Sequence, residues 1–240
     1  EADIIKGMYL FRDGDSPMPA GSPTAAAISD KPGKGDVPET DGAPPRETKA
    51  AARETVKPGA GKSAPVKNGK NSRIPRVQLL GSGTILREAI AAAELLEKEF
   101  GVVCDIWSCP SFSELRKDGF DAERWNRLHP EDKPRVAHVT ACLADRQGPV
   151  IAATDYVREF ADQIRAFMPE GKKYTVLGTD GFGRSDSREN LRRFFEVDRY
   201  YVAQAAIAAL AAEGKMTTKD VARAIKTWKI DPDKANPIGV

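Results

Sequence analysis

Residues 178–198, GTDGFGRSDSRENLRRFFEVD, gather the side chains best suited to chemistry or recognition. Asp180, Asp186 and Glu189 alternate with Arg184, Arg188, Arg192 and Arg193, and Gly178, Gly181 and Gly183 permit backbone conformations that residues with a Cβ avoid. Three uses suit such a run: a catalytic loop, a phosphate cradle, or a surface that meets other protein. Ser185 and Ser187 have no sequence-adjacent histidine to act as base, and both fit capping roles. Three carboxylates around the turn oppose a phosphate. An aromatic tip, Phe182, set among mixed charges fits a protein–protein or domain–domain contact. The interface candidates are therefore Asp180, Phe182, Arg184, Asp186, Arg188 and Arg192. Asp186, with Glu189 three residues later, predicts a capping box that starts the helix SRENLRRFF.

Other chemistry-bearing groups are sparser. LLGSGTIL (79–86) places Gly81 and Gly83 where a strand meets a helix, but the dinucleotide fingerprint needs a third glycine where Leu86 stands. Thr154–Asp155 and Thr179–Asp180 each end an apolar run, which aims both aspartates at the carboxyl ends of strands, where open parallel sheets bind ligands. Asp155 is also placed to cap a helix beginning at Tyr156. VKPGAGKS (56–63) resembles a P-loop, yet Val56 stands in the glycine position and Pro58 and Pro65 oppose the helix that must follow. Cys104, Cys109 and Cys142 lack the spacing of zinc ligands, and neither His129 nor His138 has a cysteine pair beside it. No catalytic, cofactor-binding or metal-ligating residue emerges.

The elements that must position these groups begin at Arg76. VQLL (77–80), VVCDIW (102–107), PVIAAT (149–154) and YTVL (174–177) read as strands covered on both faces. Leu86, Ile90, Ala93 and Leu96 line one helix, and Val157, Phe160, Ala161, Ile164 and Met168 another, which makes strand–helix–strand units with parallel pairing. The connection between them predicts helices near 111–117, 121–128 and 135–144. Asp198 caps a helix running to Glu213, and Thr217 or Thr218 caps a last one with Val221, Ile225 and Trp228 on its inner face. The expected fold over 76–240 is an α/β sandwich.

Composition sets this region apart from what precedes it. Residues 12–75 contain no aromatic side chain and ten of the seventeen prolines, as a disordered linker would. Residues 1–11, EADIIKGMYLF, read as a connector or the end of a preceding domain, and the absence of an initiator Met suggests a piece of a longer polypeptide. Lys57 to Arg76 carries six basic residues and no acidic one, a solvated tether or a contact for an acidic partner. Across the chain, 37 basic and 35 acidic residues give +2, so no global field favours nucleic acid or an anionic membrane. No apolar run approaches the ~20 residues that span a bilayer, and the start lacks a signal-peptide pattern. An odd number of cysteines in apolar surroundings suits a reducing, cytoplasmic setting.

LGTDGFGRSDSRENLRRFFEVD resembles the carboxyl-terminal domain of the homodimeric bacterial pyruvate dehydrogenases, the thiamine-diphosphate-dependent first components of the pyruvate dehydrogenase complex. DIIKGMY, VQLLGSGTILREA, DAERWNRLHP, ATDYVREFADQIR and DKANP are similar to the same family in the same order. The resemblance covers 1–11 and 76–240; the linker is far longer than the family usually carries. It implies a transketolase-like three-layer sandwich with a mostly parallel five-stranded sheet and one antiparallel strand. It further implies an oxidoreductase that decarboxylates pyruvate on thiamine diphosphate with Mg²⁺ and passes the acetyl unit to lipoyl groups of an acyltransferase component. The family's diphosphate motif begins G-D-G, which this chain lacks, and the glutamate that activates the cofactor has no counterpart here. The implied role is a scaffold bound to upstream domains and a second subunit, inactive alone and holding no cofactor. The alternative is an independent small-ligand-binding α/β domain that uses the Gly81–Gly83 turn and the strand-end aspartates.

Overall fold

The structure, a computed structural model, describes residues 2–17 and 74–240. A short helix α1 (Ala2–Ile5) leads into β1 (Tyr9–Arg12), and the chain resumes with β2 (Arg76–Gly81), α2 (Leu86–Leu95) and β3 (Val103–Ser108). Helices α3 (Phe112–Leu128) and α4 (His138–Leu143) precede β4 (Val150–Ala153), α5 (Arg158–Asp162) and β5 (Tyr174–Leu177). Three helices follow: α6 (Arg188–Phe194), α7 (Arg199–Ala212) and α8 (Thr218–Thr227). The sheet has five strands in the order β1-β3-β2-β4-β5, with β1 antiparallel and the rest parallel.

Strand residues divide by parity, because successive side chains point to opposite faces. Val77, Leu79, Cys104, Ile106, Ile151 and Ala153 join the core shared with α2, α7 and α8. Leu80, Trp107, Val150, Ala152, Tyr174 and Val176 join the other, against α3, α4 and α5. Both faces are thus covered, which explains the unalternating strand sequences. The alanines of α2 (Ala89, Ala92, Ala93) and α7 (Ala203, Ala206) are fully buried and keep these two helices close.

The antiparallel strand comes from the segment read as a connector: Tyr9 lies opposite Ser108 and Arg12 opposite Ile106. Residues 12–17, which composition grouped with the linker, also fold onto the sheet. Arg12 is buried and ion-paired to Glu97. The Gly14 amide donates to buried Asp105 at 2.8 Å. Asp105 also accepts from Arg76 (3.1 Å) and the Gln78 side chain (2.7 Å), while Trp107 Nε1 donates to Gln78 at 2.8 Å. Arg146 bonds Asp13 at 2.8 Å, so this polar network closes the amino end of the parallel strands. The remaining linker, with VKPGAGKS and most of the basic run, lies outside the described residues.

Three helix expectations are corrected. Residues 112–128 form one helix rather than two; Gly119 does not break it but admits the Phe167 ring, whose Cδ2 would stand 2.5 Å from a Cβ there. The third, expected over 135–144, is confined to His138–Leu143. The helix expected over Val157–Met168 stops at Asp162, and a 3₁₀ turn (Arg165–Phe167) follows, so Ala161, Ile164 and Phe167 are buried while Val157 and Phe160 face outward. No helix among the described residues is long and apolar enough to cross a membrane.

Candidate functional site

From β2 the chain crosses to β3 on one side and then returns to β4 on the other, so the topological switch point lies between the carboxyl ends of β2 and β4. Crevices in doubly wound sheets open at such points. A cleft of about 480 Å³ opens here, reached by Thr84, Asp155, Thr179, Arg184 and Arg188. Ile85, Leu191, Phe195 and Val197 give it an apolar wall.

The loops around the cleft follow from local hydrogen bonding. After β2, Gly81 lies against Leu86, whose Cα would be 2.5 Å from a Cβ at Gly81, so this glycine serves helix–strand packing. Asp155 does not cap a helix: α5 starts at Arg158 after Val157, and the Asp155 carboxylate accepts from Thr84 Oγ1 at 3.3 Å. Asp180 takes over at α5. Its Oδ1 accepts from the Arg158 amide at 3.2 Å, and its Oδ2 lies 2.9 Å from Arg158 Nε, an ion pair whose angle is too poor for a hydrogen bond.

Of the turn's three glycines only Gly181 needs a left-handed backbone, at φ 107°, and a Cβ there would strike the Pro237 carbonyl oxygen at 2.2 Å. Phe182, next in sequence, is 79% exposed. The N-cap of α6 is Ser187, not Asp186: Ser187 Oγ accepts from the Asn190 amide at 3.2 Å. Asp186 instead binds the Asn190 side-chain amide (2.8 Å) and the Ser187 amide (2.6 Å), and these bonds hold its carboxyl below the usual carboxylate range. Glu189 therefore completes no capping box.

The arginines split into two groups. Arg192 turns inward and donates to Glu88 at 2.8 Å, and Arg199 reaches the same carboxylate through its side chain (2.9 Å) and its amide (3.0 Å). Glu88 is 1% exposed, a buried carboxylate between two guanidinium groups that ties α6 and α7 to α2. Sequence reading missed it, since helical periodicity places Glu88 on the face opposite Leu86 and Ile90. The legible signal was the alanine run on the same helix, EAIAAAEL, which leaves no solvent-facing stripe. Arg184 lies over the Phe194 ring, 4.2 Å from its centroid, and Arg188 is exposed. Of the six interface candidates, Phe182, Arg184, Asp186 and Arg188 surround the open turn, whereas Asp180 and Arg192 are engaged inside the domain.

The thiols are poor nucleophiles. Burial pushes Cys104 and Cys109 up, and Cys142 up to about 11, so all three are protonated near neutrality. Among the described residues no three His, Cys, Asp or Glu side chains are grouped to hold a metal ion. The cleft's carboxylates, Asp155 and Asp186, are committed to Thr84 and to the start of α6, so these residues do not fit a Mg²⁺–diphosphate site.

A doubly wound, mostly parallel sheet with an antiparallel edge strand and a cleft at the switch point defines the class. The family model described as the transketolase-like TK C-terminal domain matches residues 66–198, and the chain belongs to that family. Its relatives sharpen this. The chain is 61% identical over 171 residues to the pyruvate dehydrogenase E1 component of Cupriavidus necator, covering 71% of this chain and 19% of that protein. It is 58% identical over 169 residues to the same component from Pseudomonas aeruginosa, covering 70% of this chain and 19% of that one. Against the Escherichia coli K12 component the identity is 50% over 186 residues, covering 78% and 20%. The chain spans about a fifth of the length of these curated relatives.

Proposed function

We propose that this chain is the carboxyl-terminal domain of a cytoplasmic pyruvate dehydrogenase E1 component. The whole enzyme would decarboxylate pyruvate oxidatively on thiamine diphosphate and Mg²⁺ and transfer acetyl to lipoyl groups of an acyltransferase component. The domain itself is structural: it packs on upstream domains of the same enzyme, supports the homodimer, and has no activity alone. The observation that carries this reading is 61% identity over 171 residues to an E1 component of which the chain spans 19%. The side chains of the turn and of α6 support it, because Asp180, Asp186 and Arg192 are engaged with Arg158, Asn190 and Glu88 of the domain itself. Phe182 and the open arginines are the surface offered to neighbours. The test is release of CO₂ from pyruvate with added thiamine diphosphate and Mg²⁺: none is expected from this chain alone, and decarboxylation by it would overturn the structural role.

The cleft at the switch point favours one second reading, a domain that binds a small effector beside Thr84 and Asp155. A thermal-shift screen separates the two, since a ligand that binds the folded state raises the melting temperature by mass action.

A further inference from the structure

Strand β1 reaches its place without a turn to guide it. It pairs with β3 rather than with β2, the next strand along the chain, and residues 13–75 lie between β1 and β2. In a hairpin the turn fixes the register of the pair. Here the register must come from contacts that residues 6–15 make themselves. Gly7 has φ 96°, and a Cβ there would stand 2.3 Å from the Ser111 carbonyl oxygen. Met8 is fully buried, and its carbonyl accepts from His138 Nε2 at 3.0 Å. The Arg12 side chain is buried beside its ion-pair partner Glu97. Gly14 lies so close to β3 that a Cβ would meet Val103 Cγ1 at 2.4 Å and the Cys104 carbonyl oxygen at 2.9 Å, while its amide reaches Asp105. A bulge at Phe11 interrupts the ladder between Leu10, opposite Trp107, and Arg12, opposite Ile106. A slip by one residue would bring Lys6 or Met8 to the position of Gly7 and Asp13 or Asp15 to that of Gly14, each with a Cβ that has no room.

We propose that the edge of β3 away from β2, with the pockets beside it, is a binding site for an extended peptide, and that residues 6–15 of this chain fill it as a ligand would. The site reads the pattern Gly-Met-x-x-x-Arg-x-Gly (7–14) and takes that segment with or without the covalent link through 18–73. Such strand addition draws affinity from main-chain bonds and specificity from the pockets that receive side chains. The anchors of the pattern are all made with residues 97–138, so they do not need the stretch between. Ion pairs close both ends of the site. Lys6 stands 3.8 Å from Asp118, while Asp13 bonds Arg146 at 2.8 Å and Asp15 bonds Arg76 at 2.6 Å. The last two gather the chain on either side of 18–73 into one cluster. A cut within 18–73 therefore leaves the domain whole, as two pieces held by the sheet.

The test places a specific protease site within residues 18–73 of the full chain and cuts there. Expected is a two-piece complex that runs as one species in gel filtration. Its melting temperature should rise with protein concentration, because closing the sheet has become a bimolecular step. A labelled peptide of residues 2–17, added in excess, should replace the amino-terminal piece. The same peptide with Gly7→Ala or Gly14→Ala should compete at least about ten-fold less well, the scale of forcing a methyl group into a packed contact. Release of the amino-terminal piece on cutting would overturn a site that needs no link. Equal competition by the parent and glycine-variant peptides would overturn the pattern it reads. A dimer of the uncut chain that excess peptide converts to monomer would put a second copy's residues 6–15 in the groove and overturn their assignment to the chain's own.

Discussion

The two ends of one sheet carry polar clusters of opposite character. At the amino end, Asp105 is fully buried and holds Arg76, Gln78 and the Gly14 amide, while Asp13 answers Arg146. At the carboxyl end, Arg184 and Arg188 border a cleft of about 480 Å³ that Asp155 and Asp186 also line, with no ion pair between them, and Phe182 stands in solvent. The first cluster completes the fold, since each partner removed would leave a buried polar group uncompensated. The second adds little to the fold, and under the proposed function it is the surface offered to neighbouring domains. The same residue types, Arg and Asp, serve both; burial and pairing separate them.

The contrast is broken most severely by Asp105→Ala. It removes the acceptor of the Gly14 amide and one acceptor each from the Arg76 guanidinium, which keeps Asp15, and the Gln78 amide, which keeps the Gln147 carbonyl; the expected loss is about 3–5 kcal/mol in urea unfolding. Glu88→Ala tests the boundary between the two ends, because it removes the buried carboxylate that Arg192 and Arg199 share; about 3 kcal/mol is expected by the same measurement.

Acid sharpens the comparison at the amino end. Burial alone would raise the Asp13 carboxyl, but the Arg146 hydrogen bond, the Asp15 amide and the nearby Arg76 hold it below its ordinary value. A carboxyl lowered in the folded state contributes stability that is present above the unfolded-state pKa and is lost as pH falls through the lower folded value. Acid unfolding of Asp13→Asn should therefore show a shallower loss of stability below about pH 4 than the parent chain. The smallest effects belong to the open end: Phe182→Ala and Arg188→Gln should each change the stability of this chain by no more than about 0.5 kcal/mol.

Local signals were legible in sequence where local chemistry decides the outcome. Asp198 accepts from the Tyr200 and Tyr201 amides at the start of α7, as expected, and Thr217, one of the two threonines offered for α8, caps it, with a capping box to Asp220 that the sequence reading did not include. Strand β5 occupies Tyr174–Leu177, the run read as YTVL. Long-range pairings were not legible. Strand β1 meets β3 across the whole linker, and Glu88 meets partners 104 and 111 residues later, so neither leaves a periodic trace. At the turn, Phe182 and Arg188 were read as outward and are exposed, but Arg192 is claimed by Glu88, a partner visible only once α2 and α6 are side by side. The capping residue of α6 was misplaced by one position because Asp186 and Ser187 are both good N-caps, and the Asn190 side chain decides between them by binding Asp186.

Phe182→Ala, read in two settings, is the most direct test of an open end made for docking. In this chain alone the melting temperature should stay within about 2 °C of the parent, since the ring buries little here. In the full-length enzyme the same change should lower the domain's melting temperature by about 4–8 °C, the scale of losing ~2 kcal/mol at an interface hot spot. An equal shift in both settings, or none in the full-length enzyme, would contradict it.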